Sequence, residues 1–270
     1  MAKKPTIILI TFLSLLDFAQ ANTAVFTDSQ FTASPYGQNL ARNCLNPSTL
    51  TDSANVDFIS APAGRAEGLI SSKKNPQPIY TFKATSDQVT GHRSTGTYYH
   101  KPYFDEKLND PSVKRIMVFM GVNDINFSNG RYSLSNWSEI AQTIRAKGKE
   151  CVVGLPPMIT NTARARVIRA YNIKVAEVLK DTSCKIVDTS NSLTQGPYKT
   201  FATGDGLHFT TRSSKEVAEA TCEAVKALKN ETENQETNQE ETSVTQNPQN
   251  EMEEEVMVEA SLDSFFSSEY

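Results

Sequence analysis

Residues 115–124 read RIMVFMGVND. After Arg115 the run is apolar through Met120, with nothing polar on either alternating face. A strand that is wetted on one side alternates, so this one is expected to be covered on both, as strands of parallel sheets are. It stops at Gly121 and turns polar at once. Working outward, short apolar or β-branched runs at residues 24–27, 56–61, 151–155 and 185–188 predict four further strands. Helical spacing occupies residues 35–45, 134–146, 163–179 and 211–228. In the third of these helices Val167, Ala170, Tyr171 and residues 174–178 fall in register; in the last, Val217, Ala220, Thr221, Ala224 and Val225 share a face. Pro156-Pro157 breaks the chain after the strand at 151–155. Such alternation predicts an α/β/α sandwich around a five-stranded parallel sheet. A ligand site belongs beyond the C-terminal ends of its strands. The polar stretch 71–110, with His92 and His100, is expected to be mainly loop.

The chain has 270 residues, 38% of them hydrophobic, and a negative mean hydropathy. One core can absorb most of that length, and a polytopic membrane protein is excluded because only the extreme N-terminus is continuously apolar. Glycine and proline are too sparse for a fibrous chain, and four cysteines too few for a small disulfide scaffold. The net charge of -4 averages three unlike parts. Residues 1–21 are expected to be a secretory signal: Lys3 and Lys4, an apolar run over 7–16, then Ala19-Gln20-Ala21 as a cleavage site. Residues 230–270 hold twelve acids and no Lys or Arg, a composition expected to stay disordered. Residues 22–229, the expected folded domain, then carry +7. The mature protein is expected to be exported, periplasmic or secreted, with no transmembrane segment after signal cleavage.

The strand ends concentrate the polar chemistry: Thr27-Asp28-Ser29-Gln30, Ala63-Gly64-Arg65, Gly121-Val122-Asn123-Asp124, and Gly204-Asp205-Gly206-Leu207-His208-Phe209. Taken singly, each residue is as readily a turn or cap residue. Together they supply what acyl transfer requires. A serine needs a base to take its proton, and histidine has the pKa for it near neutrality. A tetrahedral intermediate needs preorganised N–H donors, and a carboxylate three residues before a histidine can fix its tautomer.

At these residues the sequence resembles the SGNH (GDSL-type) hydrolases, in a bacterial secreted branch. The family's four blocks stand in order as TDSQF (27–31), the Gly64 region, GVND (121–124) and DGLH (205–208), over roughly residues 22–226. The resemblance implies a flavodoxin-like fold with Ser29 as nucleophile, His208 as base and Asp205 as its orienter. It implies an oxyanion hole made by the Ser29 and Gly64 backbone N–H groups and the Asn123 side chain. One departure is Thr27, where the family has glycine; a β-branched residue resists the tight backbone geometry that glycine allows, so a reshaped site is expected.

No cofactor or metal is needed for this chemistry. His92 and His100 lack partners at metal-ligand spacing, and no phosphate-binding glycine loop is present. For the cysteines, Cys151 and Cys184 start neighbouring strands, and Cys44 and Cys222 lie on helices that share a face in a flavodoxin-like layout. Those two pairings are favoured, and together they make one of the three connectivities that four cysteines allow. The expected substrate is an acylated, above all an acetylated, carbohydrate or another small ester. The basic domain, with Arg65 beside Gly64, suits an anionic cell-envelope polymer; no nucleic-acid partner is expected. A lipase or thioesterase of the same fold, and an inactive SGNH-fold envelope-binding protein using residues 251–266 as an adaptor, stay open as alternatives.

Overall fold

The structure is a computed structural model that describes residues 21–32, 35–50, 53–84, 89–127, 132–157, 162–188, 208–210 and 213–228. Residues 1–20 of the expected signal, the acidic tail and Asp205 lie outside the described residues; Ala21, the last residue of the expected signal, begins the first strand.

A seven-stranded sheet forms the middle layer, in the order β4-β3-β2-β1-β5-β6-β7. Five strands are parallel: β2 (Ser53–Ser60), β1 (Ala21–Thr27), β5 (Val113–Phe119), β6 (Glu150–Gly154) and β7 (Lys185–Val187). The RIMVFM run is the middle strand of these five. Its side chains divide between both faces: Ile116 and Val118 join one core, Met117 and Phe119 the other. In β1, Ala24 and Phe26 face the first core and Val25 the second, so period-two alternation serves two buried faces at once.

The first core is closed by α3 (Glu67–Ile70), α4 (Lys101–Asn109), α6 (Ser135–Ala146) and α7 (Thr162–Leu179). The second is closed by α2 (Pro35–Asn43) and by α8, residues 213–228. On α7 the buried stripe is Ile168, Tyr171, Val175 and Leu179, rising by three or four residues at each step. Val167, expected in that stripe, is 43% exposed; the stripe lies one position further along. No helix among the described residues is long and apolar enough to cross a membrane.

The five-stranded, fully parallel sheet is corrected in one respect. Residues 71–110 are not mainly loop: they build β3 (Tyr80–Ala84), β4 (Val89–Ser94) and α4. The hairpin adds antiparallel to the free edge of β2, and Phe82 stacks on Phe58 at 4.5 Å between ring centroids. Being an edge, it needs few apolar residues. Phe82 and Ala84 are buried while Lys83 between them is exposed. His100, expected in that loop, does sit in a bend outside any helix or strand, but it is buried. It is 2% exposed, packed against Phe26 at 5.4 Å, and immediately precedes α4.

Two disulfides each join neighbouring elements within one layer. Cys44–Cys222 joins the end of α2 to α8, with Cα atoms 5.2 Å apart; Cys151–Cys184 joins β6 to the residue before β7, at 4.7 Å. Each pair has the Cα separation such a bridge requires.

Candidate active site

The sheet reverses its winding between β1 and β5: β2 lies on one side of β1, and β5, β6 and β7 follow on the other. Loops leaving the C-terminal ends of β1 and β5 diverge there and open a crevice. Ser29 starts the short helix α1 (Ser29–Thr32) directly after β1 and Asp28. Asn123 lies in the first turn of α5 (Val122–Phe127), after β5. Gly64 sits in the loop between β2 and α3. His208 arrives from far along the chain, just before α8, and its Nε2 lies 3.1 Å from Ser29 Oγ. That is hydrogen-bond reach for a nucleophile and its base.

The loop bearing Gly64 is a tight turn. Ala61 accepts a hydrogen bond from the Gly64 N–H at 2.7 Å, and Ala63 takes a φ of +58°. A side chain at residue 64 is excluded, since a Cβ there would come within 2.6 Å of the Ala61 Cβ and carbonyl oxygen. The amide of Asn123 donates to the Gly64 carbonyl at 3.1 Å. This geometry differs in one point from the oxyanion hole the resemblance implies. The Gly64 N–H is engaged inside its own turn, whereas Asn123 has used one amide hydrogen and retains a second.

Two carboxylates whose roles were not read from the sequence shape this centre. Asp124 accepts the Ala66 N–H at 3.1 Å and so holds the Gly64 loop against α5. Burial raises its pKa to about 6, against the opposing hydrogen bond from Ala66 and the nearby charge of Arg65. Asp28 accepts the Gln30 N–H at 3.0 Å, which caps the first turn of α1, and its backbone carbonyl accepts the Ser60 hydroxyl at 2.9 Å. It is 1% exposed, and burial raises its pKa to about 7; the Gln30 hydrogen bond works against the shift and the Asp124 charge adds to it. Both aspartates stand inside the quoted blocks, so their positions were visible. Their partners, Gln30 excepted, are distant in sequence and were not.

Behind the site, Gly121 has a φ of +123°, and a Cβ there would lie 2.8 Å from Pro156 Cγ and 3.0 Å from the Tyr171 ring. Glycine is therefore required both by backbone and by space. Tyr171 is itself fixed by the Trp137 indole N–H, which donates to its hydroxyl at 2.6 Å. Asn172 donates to the Pro156 carbonyl at 2.9 Å and pins the Pro156-Pro157 corner. Thr27, where the family has glycine, is a fully buried residue within β1, and its carbonyl accepts the Ala61 N–H at 2.9 Å. It is not among the residues with positive φ, so the strand absorbs it without backbone strain.

No protein-family model matches the chain, and no curated protein matches it in sequence. Solved structures do. One is a protein assigned as a GDSL-like lipase, from Parabacteroides merdae, with 9% identity and a TM-score of 0.51; the match covers 76% of this chain and 95% of that one. Another is a protein assigned as an SGNH hydrolase, from Slackia heliotrinireducens, with 12% identity and a TM-score of 0.50, covering 76% and 98% respectively. At such identity the likeness concerns the fold alone. The chain has the fold of the SGNH hydrolases.

Proposed function

We propose that this protein is a serine ester hydrolase of the SGNH family, exported from the cell, that removes short acyl groups from cell-envelope carbohydrate. The observation that carries the reading is the 3.1 Å contact between Ser29 Oγ and His208 Nε2, made across 179 residues of sequence. His208 takes the Ser29 proton as Oγ attacks the ester carbonyl. The Asn123 amide hydrogen left over from Gly64, together with the Ser29 N–H, stabilises the oxyanion as it develops. His208 then protonates the departing sugar oxygen, an acyl-Ser29 ester remains, and a water activated by the same imidazole releases the acid. Asp205 is assigned the task of holding the imidazole tautomer, on the resemblance of DGLH (205–208) to the family's last block.

The short acyl group is part of the proposal, and the comparison of ester chain lengths below tests it. The two disulfides support an oxidising compartment.

The test treats the protein with a fluorophosphonate probe and compares p-nitrophenyl acetate with longer-chain esters. Labelling that disappears in Ser29→Ala, with acetate turned over fastest, is the expected result. No labelling and no turnover at any chain length would sink the enzyme reading.

A further inference from the structure

Asp28 stands directly before the nucleophile, and the proposed reaction leaves its side chain unused. It is 1% exposed, and its two carboxyl oxygens have unlike surroundings. Oδ1 accepts the Gln30 N–H at 3.0 Å at the entry to α1. Oδ2 is sealed from water and makes no hydrogen bond among the described residues. The residue is also anchored through its backbone carbonyl, which accepts the Ser60 hydroxyl at 2.9 Å. Capping α1 needs only the acceptor that Oδ1 provides. Asparagine or serine would supply it without burying an ionisable group, so an acid is a costly choice for a purely architectural task.

Three other segments bring titratable groups to it. Asp124 on α5 repels its anion, His208 just before α8 attracts it, and Tyr171 on α7 lies within its field. Arg65 offsets the charge of Asp124. Burial is the larger influence and keeps Asp28 protonated up to about pH 7. Above that pH the centre holds an anion with one oxygen unbonded, and the group that can compensate it is His208. The His208 ring lies 3.1 Å from Ser29 Oγ and becomes positive when it takes the Ser29 proton. An attraction that exists only while His208 is charged acts on the transition state and not on the resting enzyme.

We infer that Asp28 is a positioning residue of the reaction: it fixes the chain on which Ser29 is presented, and its ionised carboxylate is a buried counter-charge for the imidazolium that forms at His208. The inference deepens the ester-hydrolase reading and rests on it. The role is additional to the one assigned to Asp205. It makes the rate depend on a second acid, whose ionised form is the faster one.

Hydrolysis of p-nitrophenyl acetate by the full-length protein tests it between pH 5.5 and pH 8.5. Asp28→Asn keeps the acceptor for the Gln30 N–H and removes the charge. Parent and variant are expected to turn over alike at pH 5.5, where both carry a neutral side chain. At pH 8.5 the kcat of the parent should exceed that of the variant by about fivefold or more, with KM unchanged. The excess should grow in with a midpoint near pH 7. Asp124→Asn keeps an acceptor for the Ala66 N–H and removes a repelling charge, so it should move the rise in kcat to lower pH. Where Asp28→Asn does not fold, that shift carries the test, and its absence overturns the inference. A parent-to-variant ratio that is constant across pH is what a structural cap gives. A ratio that falls with pH is what an anion opposing the oxyanion gives. Either result discards the role of Asp28 and leaves the esterase standing. Absence of turnover together with absence of fluorophosphonate labelling discards the esterase, and the inference with it.

Discussion

Asp28 makes stability depend on pH in an unusual direction. Most native carboxylates are held below their unfolded pKa, so acid removes stability. Asp28 is held above it, moving from 3.8 to about 7 by burial beside Ser29. A carboxyl whose folded pKa is raised contributes most favourably below its unfolded pKa, and that contribution is lost as pH rises through the folded value. Linkage with these two values gives a penalty of about 4 kcal/mol by pH 8, of which about 2–3 kcal/mol accrues between pH 5 and pH 8. Asp124, raised to about 6, adds a penalty of the same sign. Asp28→Asn keeps the oxygen that accepts the Gln30 N–H and removes the charge. Urea unfolding at pH 5 and pH 8, with disulfides intact, measures the effect. The unsubstituted protein should weaken on going to pH 8, and Asp28→Asn should weaken by about 2–3 kcal/mol less. A variant with the same pH dependence as the parent would refute the reasoning, because it would place Asp28 in contact with water.

Other consequences are equally open to measurement. Asn123→Ala should lower kcat for p-nitrophenyl acetate by about 10²–10³-fold with little change in KM, since its amide meets charge that exists only in the transition state. Gly121→Ala should destabilise the fold by about 3 kcal/mol, because the new Cβ meets Pro156 and Tyr171 at a φ of +123°; a thermal melt reports it. Loss of Cys44–Cys222, which closes a sequence separation of 178 residues, should cost about 5 kcal/mol on the chain-entropy estimate. Loss of Cys151–Cys184, with a separation of 33, should cost about 4 kcal/mol. Paired Cys→Ala variants compared in denaturant test the order.

Much of the parallel core was legible because its signal is local. RIMVFM announces a strand buried on both faces, and the strand at residues 151–155 does so too. The β3–β4 hairpin was not legible. Its inner strand β3 buries only Phe82 and Ala84, and β4, at the sheet edge, packs only Val89 against the core. The blocks around Ser29, Gly64, Asn123 and His208 could be found by order and residue type, and the fold brings Ser29 to His208 and Asn123 to Gly64. What the blocks did not reveal is which hydrogen of which group is already used: the Gly64 N–H on Ala61, the Ala66 N–H on Asp124.

The sequence by itself determined the five parallel strands and the polar blocks at their ends, because their periodicity and position can be read within a few residues. The cysteine pairs it only favoured, since bridges across 178 and 33 residues are closed by the fold. Tertiary structure alone decided the elevated pKa values of Asp28 and Asp124, the requirement for glycine at position 121, and a basic cavity walled by segments 63–68 and 73–76 with His100. These depend on desolvation, on close approach and on charges from distant segments facing one another, and none of the three exists until the chain has folded.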